Sequence, residues 1–141
     1  MRWRRGWNFL YLQMNRIIDE SLKDFERILD QFADVMATPT GELDSRDRDS
    51  AILRFELCYE VCWKLLQRMV RDQGYESNGP RSAFEKAFAL GWIEDESTWH
   101  DIMKDRNTAV HVYREEWAED LFSRLPNYLA AFQSLLKQLK H

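Results

Sequence analysis

The sequence predicts an all-α protein, an antiparallel up-and-down bundle of four to five helices. Three observations carry that expectation. Apolar residues recur at alternating steps of three and four through several long stretches, the period of a helix face. The 141 residues include only five Gly and three Pro, too few for the many tight turns of a sandwich or barrel. Six Trp, eight Phe and five Tyr supply a large core and exclude an intrinsically disordered segment. A chain of this length buries roughly 69% of its unfolded surface, enough for one domain without disulfides or a structural metal.

The elements follow in order. The spacing predicts a first helix from about Asn15 to Ala37, with Ile18, Leu22, Phe25, Leu29, Phe32 and Met36 on one stripe. A turn cluster, Thr38-Pro39-Thr40-Gly41, ends it. The second helix is expected from about Asp47 to Gln73. It carries two stripes: Ile52, Phe55, Tyr59, Cys62, Leu66 and Met69, and beside them Leu53, Leu57, Val61 and Leu65. A helix apolar over so wide an arc is central in its bundle or touches a second subunit. Gly74 stops it, and Pro80 suits the first position of a short helix closed by Gly91. Asp95, Glu96 and Ser97 supply capping and acidity for a fourth helix over about 96–112. The last runs from about Glu115 to Lys140, with Ala118, Leu121, Leu125, Tyr128, Phe132, Leu135 and Leu139 in heptad register and a kink expected at Pro126.

Residues 14–141 read as a single domain and residues 1–13 as an N-terminal extension. The stretch MRWRRGWNFLYLQ places arginines before apolar residues, as a signal peptide does, but Asn8 and Gln13 interrupt the apolar run and no cleavage site follows. It reads as an amphipathic extension, or as an upstream start with Met14 the initiator. Cys58 and Cys62 lie four apart in a helix with no further ligands to complete a zinc site, so buried thiols of a cytoplasmic protein are expected and no metal or other cofactor. No apolar run is long enough to span a membrane. The net charge of −4 argues against a protein that coats nucleic acid, and DNA is not an expected partner.

The chemistry concentrates between Trp99 and Tyr113. Trp99, Ile102, Arg106 and Tyr113 share a helix face, which puts a guanidinium in line with the apolar stripe. Such an arginine needs partners for its donors: a structural ion pair with Glu60 or Asp105 is one reading, snorkelling over the bundle end another. His100, Lys104, Asn107 and His111 lie on a second face, which on its own could be a solvated surface. Arg106 and His111 are about 140° apart on an ideal helix. They converge only if the last turn loosens or a two-fold partner brings its own copies to one cleft. The latter arrangement suits metal-independent RNA cleavage, with histidines as base and acid and arginines forked onto the phosphate.

The string Arg106-Asn107-Thr108-Ala109-Val110-His111 resembles the R-x(4–6)-H motif of the HEPN superfamily, the higher eukaryote and prokaryote nucleotide-binding proteins. With Tyr113 it becomes R-x4-H-x-Y, similar to the HepT-type toxins paired with minimal nucleotidyltransferases (MNT). The segments RFELCYEVCWKLL, PRSAFEKAFALGWIEDESTW and MKDRNTAVHVYREEWAE resemble the small bacterial nucleotidyltransferase substrate-binding subunits, over roughly residues 15–140. The resemblance implies a HEPN-like helical homodimer encoded near a small nucleotidyltransferase. It implies that Arg106 binds the scissile phosphate, that Asn107 orients it or the histidine, and that His111 is the acid–base residue. Tyr113 would be the hydroxyl that the partner modifies with AMP, silencing an endoribonuclease toxin. The alternative is a non-catalytic subunit that presents a nucleotide or other substrate to the same partner. The acidic balance favours this second reading, whereas the intact Arg–Asn–His–Tyr set favours the first, with Lys64, Arg68, Arg71, Lys104 and Arg114 as local basic residues.

Overall fold

A computed structural model of the chain describes residues 2–37, 44–111 and 115–140. Nearly all of them lie in α1 (Arg2–Met36), α2 (Ser45–Asp72), α3 (Pro80–Ala89), α4 (Glu96–His111) and α5 (Glu115–Leu139). The expected all-α class and helix order hold. The turn cluster at residues 38–41 lies outside the described residues.

Each boundary has a local cause. Asp44 and Asp47 form a reciprocal capping box at the start of α2, each carboxylate accepting the other's backbone N–H at 3.0 and 3.2 Å. Asp95 accepts the N–H of Thr98 at 3.1 Å and its hydroxyl at 2.6 Å in front of α4. At the end of α3, Gly91 adopts φ +79°, which lets its N–H reach the Phe88 carbonyl and that of Trp92 reach Ala87. This is the paired bonding of a Schellman stop, and Gly74 at φ +89° repeats it after α2. The first helix departs from its expected start at Asn15: α1 is helical from Arg2. The segment MRWRRGWNFLYLQ holds no proline and one glycine, so an established helix has little reason to stop there. Helix α5 passes through Pro126 as a single element.

Side-chain contacts give the helix directions. Arg54 Nη1 donates to Gln31 at 2.7 Å and Arg68 bonds Ser21, so α1 and α2 are antiparallel. Arg48 holds Glu115 at 2.7 and 3.1 Å while Phe55 stacks on Tyr128 at 5.5 Å, so α2 and α5 run parallel. Contacts from Asp105 to Arg124 and from Trp99 to Phe132 set α4 antiparallel to α5. Helices α1, α2, α4 and α5 therefore alternate up and down, with short α3 packed on α2 and α4. The core centres on Phe132, whose ring meets Phe25, Phe32, Phe55 and Trp99 at centroid distances of 5.4–6.4 Å.

The double stripe of α2 divides as its width implies. Its first stripe is buried from Ile52 to Leu66, and Leu65 of the second is buried too. Leu53 and Leu57 remain 52% and 36% exposed. No described helix is long and apolar enough to cross a membrane.

Burial has a consequence for titration. It pushes the Cys58 thiol up to about 12 and that of Cys62 well above its ordinary value. It also pushes Tyr59 up to about 12, against the opposing pull of Arg106. All three groups favour their protonated, neutral form when folded, so their contribution is complete below the unfolded pKa values of 9.0 and 10.0. It disappears as pH rises towards the folded values. Urea titrations should show stability that is level to about pH 9 and then falls up to pH 12, by at most about 1.4 kcal/mol per pH unit for each group. A Cys58→Ala, Cys62→Ala protein should show a shallower decline.

Candidate functional site on the fourth helix

The site is built on α4, whose rotation is set by one buried carboxylate. Asp105 is 8% exposed. Its oxygens accept Arg124 Nε and Nη2, both at 2.8 Å, and the Tyr128 hydroxyl donates to the same carboxylate. Arg124 and Tyr128 sit one turn apart on α5, so both reach the same point on α4. The hydrogen bond from Arg124 to Asp105 raises its guanidinium pKa; burial, then the bond to Asp105, raises that of Tyr128.

With Asp105 facing α5, the next residue turns about 100° towards α2. Arg106 is half-buried there, its guanidinium carbon 5.8 Å from the centre of the Tyr59 ring. Its Nη2 lies 3.5 Å from Glu60 Oε1, and its buried Nε has no hydrogen-bond partner among the described residues. Of the two carboxylates proposed from sequence, Glu60 is the one that faces Arg106, and Asp105 is committed elsewhere. Glu60 also lies 3.7 Å from Lys64, one turn further along α2. Arg106 is thus placed by packing and a loose ion pair, with donors to spare. Exposed Leu53 and Leu57 lie on the face of α2 that also carries Glu60.

A further turn of about 100° takes Asn107 away from Arg106. Exposed Asn107 borders a cleft of about 810 Å³ with Tyr59, Arg81, His100, Lys104 and Thr108. The Thr108 hydroxyl donates to the Lys104 carbonyl at 2.9 Å, and His100 Nε2 lies 3.5 Å from Glu96. His111 supplies the last residue of α4, but its side chain is outside what is described, and so is the whole of Tyr113. The structure thus places Arg106 and Asn107, on different faces, and leaves their meeting with His111 and Tyr113 open. Two residues were missed from sequence: Arg124, the true partner of Asp105, and Arg81, at the start of α3. The signal for Arg124 was its place beside Leu125 and one turn before Tyr128; nothing local marked Arg81. No cluster of three metal-ligating side chains occurs among the described residues.

Residues 19–141 match the family described as nucleotidyltransferase substrate binding protein like. The chain is 27% identical over 95 residues to a probable ribonuclease HepT of Haemophilus influenzae; the match spans 64% of this chain and 65% of the relative, just under two thirds of its length. Its fold is similar to a tri-AMPylated Shewanella oneidensis HEPN toxin solved in complex with an MNT antitoxin. The TM-score is 0.71 at 22% identity, over 88% of this chain and 96% of that one. It is also similar to an H. influenzae protein described as having the fold of a substrate binding domain of a nucleotidyltransferase. There the TM-score is 0.62 at 24% identity, over 89% and 98% of the two chains.

The clamp on Asp105 makes a specific demand. Arg124→Ala leaves a buried carboxylate with only Tyr128 to answer it and should destabilise the protein by about 2 kcal/mol, less than a fully buried pair because Arg124 is partly exposed. Arg124→Lys should recover only part of that loss, since an ammonium cannot make both fork contacts. Chemical denaturation of the two variants checks this.

Proposed function

The chain belongs to the nucleotidyltransferase substrate-binding-protein-like family, and from that premise we propose that it is the toxin of a HEPN/MNT toxin–antitoxin pair. It acts as a metal-independent endoribonuclease, with Arg106, Asn107 and His111 of two protomers around one cleft. The observation that carries this reading is Arg106 itself. A structural arginine at this position would make a forked contact to a carboxylate, as Arg124 does to Asp105 at 2.8 Å. Arg106 instead keeps an Nε with no partner among the described residues and a loose 3.5 Å approach to Glu60, beside a strip of α2 where Leu53 and Leu57 remain exposed. Docking that strip against its symmetry mate would bury both leucines and bring two guanidinium groups together.

In such a site one His111 takes the proton of a ribose 2′-hydroxyl, and the 2′ oxygen attacks the adjacent phosphorus. The second His111 gives a proton to the departing 5′ oxygen, leaving a cyclic phosphate. Arg106 stabilises the charge that develops on the phosphorane oxygens, and Asn107 orients the phosphate or the imidazole. The partner nucleotidyltransferase silences the enzyme by transferring AMP from ATP to the Tyr113 hydroxyl with release of pyrophosphate. The added phosphate is an anion within the motif segment that begins at Arg106, where it competes with RNA for the guanidinium.

A second reading is favoured by the net charge of −4, which weakens general attraction to RNA. In it the chain is a non-catalytic subunit that presents a nucleotide or other substrate to the nucleotidyltransferase.

Expression without the partner separates the two. The toxin reading expects growth arrest and cut RNA, relieved by His111→Ala and by Arg106→Ala; undiminished toxicity of the histidine variant sinks the mechanism, and a harmless wild type hands the case to the binding subunit. Incubation with the partner and ATP should add the mass of at least one adenylate to the wild type, mapped to Tyr113 by peptide mass spectrometry, and none to Tyr113→Phe. An adduct that persists on the phenylalanine variant removes Tyr113 from the proposal.

A further inference from the structure

The R-x4-H site accounts for one phosphate, yet the cleft beside it is much larger than one phosphate. Its roughly 810 Å³ falls in the range of sites that hold a whole nucleotide or more. It opens between the start of α3, which contributes Arg81, and α4, which contributes His100, Asp101, Lys104, Asn107 and Thr108. Arg81 and Lys104 are exposed, and neither is held by a hydrogen bond or an ion pair among the described residues. Exposed Arg16, Lys23, Arg46 and Lys137 are likewise without such a partner among the described residues, but none of them borders this cleft, and several other cations are engaged. Arg48 is bound to Glu115, Arg124 to Asp105, Lys64 to Glu60 and Lys140 to Glu26.

We infer that this cleft binds the single-stranded RNA backbone on one side of the scissile phosphate, with Arg81 and Lys104 contacting successive phosphates. The inference rests on the ribonuclease reading and extends it. Asn107 and Thr108 join the two regions, since both border the cleft and both belong to the motif segment that begins at Arg106. Along α4, Lys104 and Thr108 are one turn apart, about 6 Å, on the order of one nucleotide step in an extended strand. Lys104 therefore stands one such step from the motif, and Arg81 faces it from the other wall. The acidic groups in reach are few and partly engaged: Asp101 borders the cleft, and Glu96 sits 3.5 Å from His100. The lining is locally cationic on a chain of net charge −4, so it can guide one strand without making the protein a general nucleic-acid binder. Met103 and Tyr59, both largely buried, form the apolar floor of the cleft.

The test is binding of a fluorescent oligouridylate to full-length protein carrying His111→Ala, so that the probe is not cut. Arg81→Ala with Lys104→Ala should weaken binding about tenfold at low salt and make the slope of log affinity against log salt shallower by about 1.4, the loss of two single-strand phosphate contacts. Lys137→Ala, remote on α5, should change neither. Thermal unfolding of the double variant should match the parent, because both side chains are exposed and neither is paired among the described residues. Equal slopes with and without the two side chains overturn the cleft, as does failure of the parent to bind the probe. Full displacement of the oligomer by stoichiometric ATP, with affinity independent of oligomer length, also overturns it in favour of a mononucleotide pocket. The outcome is separable from that of the ribonuclease reading. Uncut RNA with the slope difference intact removes catalysis and keeps the cleft, whereas His111-dependent cutting with equal slopes removes the cleft alone.

Discussion

A carboxylate at the core-facing position of α4 would be costly without partners, and the forked contact from Arg124 with the Tyr128 hydroxyl is what makes Asp105 tolerable there. The same three groups determine which way the rest of α4 looks. Residues on a helix are spaced by about 100°, so fixing Asp105 against α5 directs Arg106 to α2 and turns Asn107 away, into the cleft beside α3. A slip of one residue would put Arg106 against α5 and leave Arg124 facing another cation. The clamp thus acts on the site by specifying rotation, which no hydrophobic contact does as sharply because apolar packing tolerates sliding.

The aromatic core supplies what the clamp lacks, a fixed distance between helices. Trp99, in the first turn of α4, meets Phe132 edge-on at 5.4 Å, while Phe84 links Trp99 to Tyr59 at 5.2 and 5.6 Å. Tyr59 then carries the Arg106 guanidinium. An unbroken run of packed rings therefore connects the centre of the bundle to the residue with spare hydrogen-bond donors. Its planar side chains admit few alternative arrangements, which keeps the cation in place without using up those donors.

Periodicity made the bundle legible. The first stripe of α2 and the stripe of α5 are buried except for Met69 and Leu139, and the middle of the α1 stripe, Phe25, Leu29 and Phe32, is buried too, because burial of an apolar face decides helix packing. Gly74, Gly91, Pro80 and Asp95 marked their boundaries through local backbone chemistry. What could not be read was longer in range. The start of α1 at Arg2 follows from the absence of any stop signal, and a missing signal is weak evidence in a sequence. The choice between Glu60 and Asp105 for Arg106 depended on Arg124, 18 residues away in sequence from Arg106 and on another helix. For the site the residue set was readable, since Arg106, Asn107, His111 and Tyr113 stand within eight positions. Its convergence was not, because residues 140° apart on one helix meet only through a change in that helix or a second copy.

The division of charge reconciles an acidic chain with the proposed phosphate site. Formal net charge counts every ion equally, but an arginine clamped in a salt bridge contributes little field beyond its partner, and at physiological ionic strength the rest is screened within about 8 Å. Arg48 and Arg124 are neutralised in this way by carboxylates at 2.7 and 2.8 Å. The net charge of −4 is therefore an excess of carboxylates spread over the whole surface, while the cations left unclamped are the ones that an incoming phosphate meets at short range. Arg106 is held by a ring and a loose carboxylate, and Arg81 and Lys104 border the neighbouring cleft. For a ligand that reaches α4, the local arrangement outweighs the sum. The acidic remainder works in the other direction, by opposing attachment of a polyanion anywhere else on the surface, which is what the proposed site needs in order to be selective.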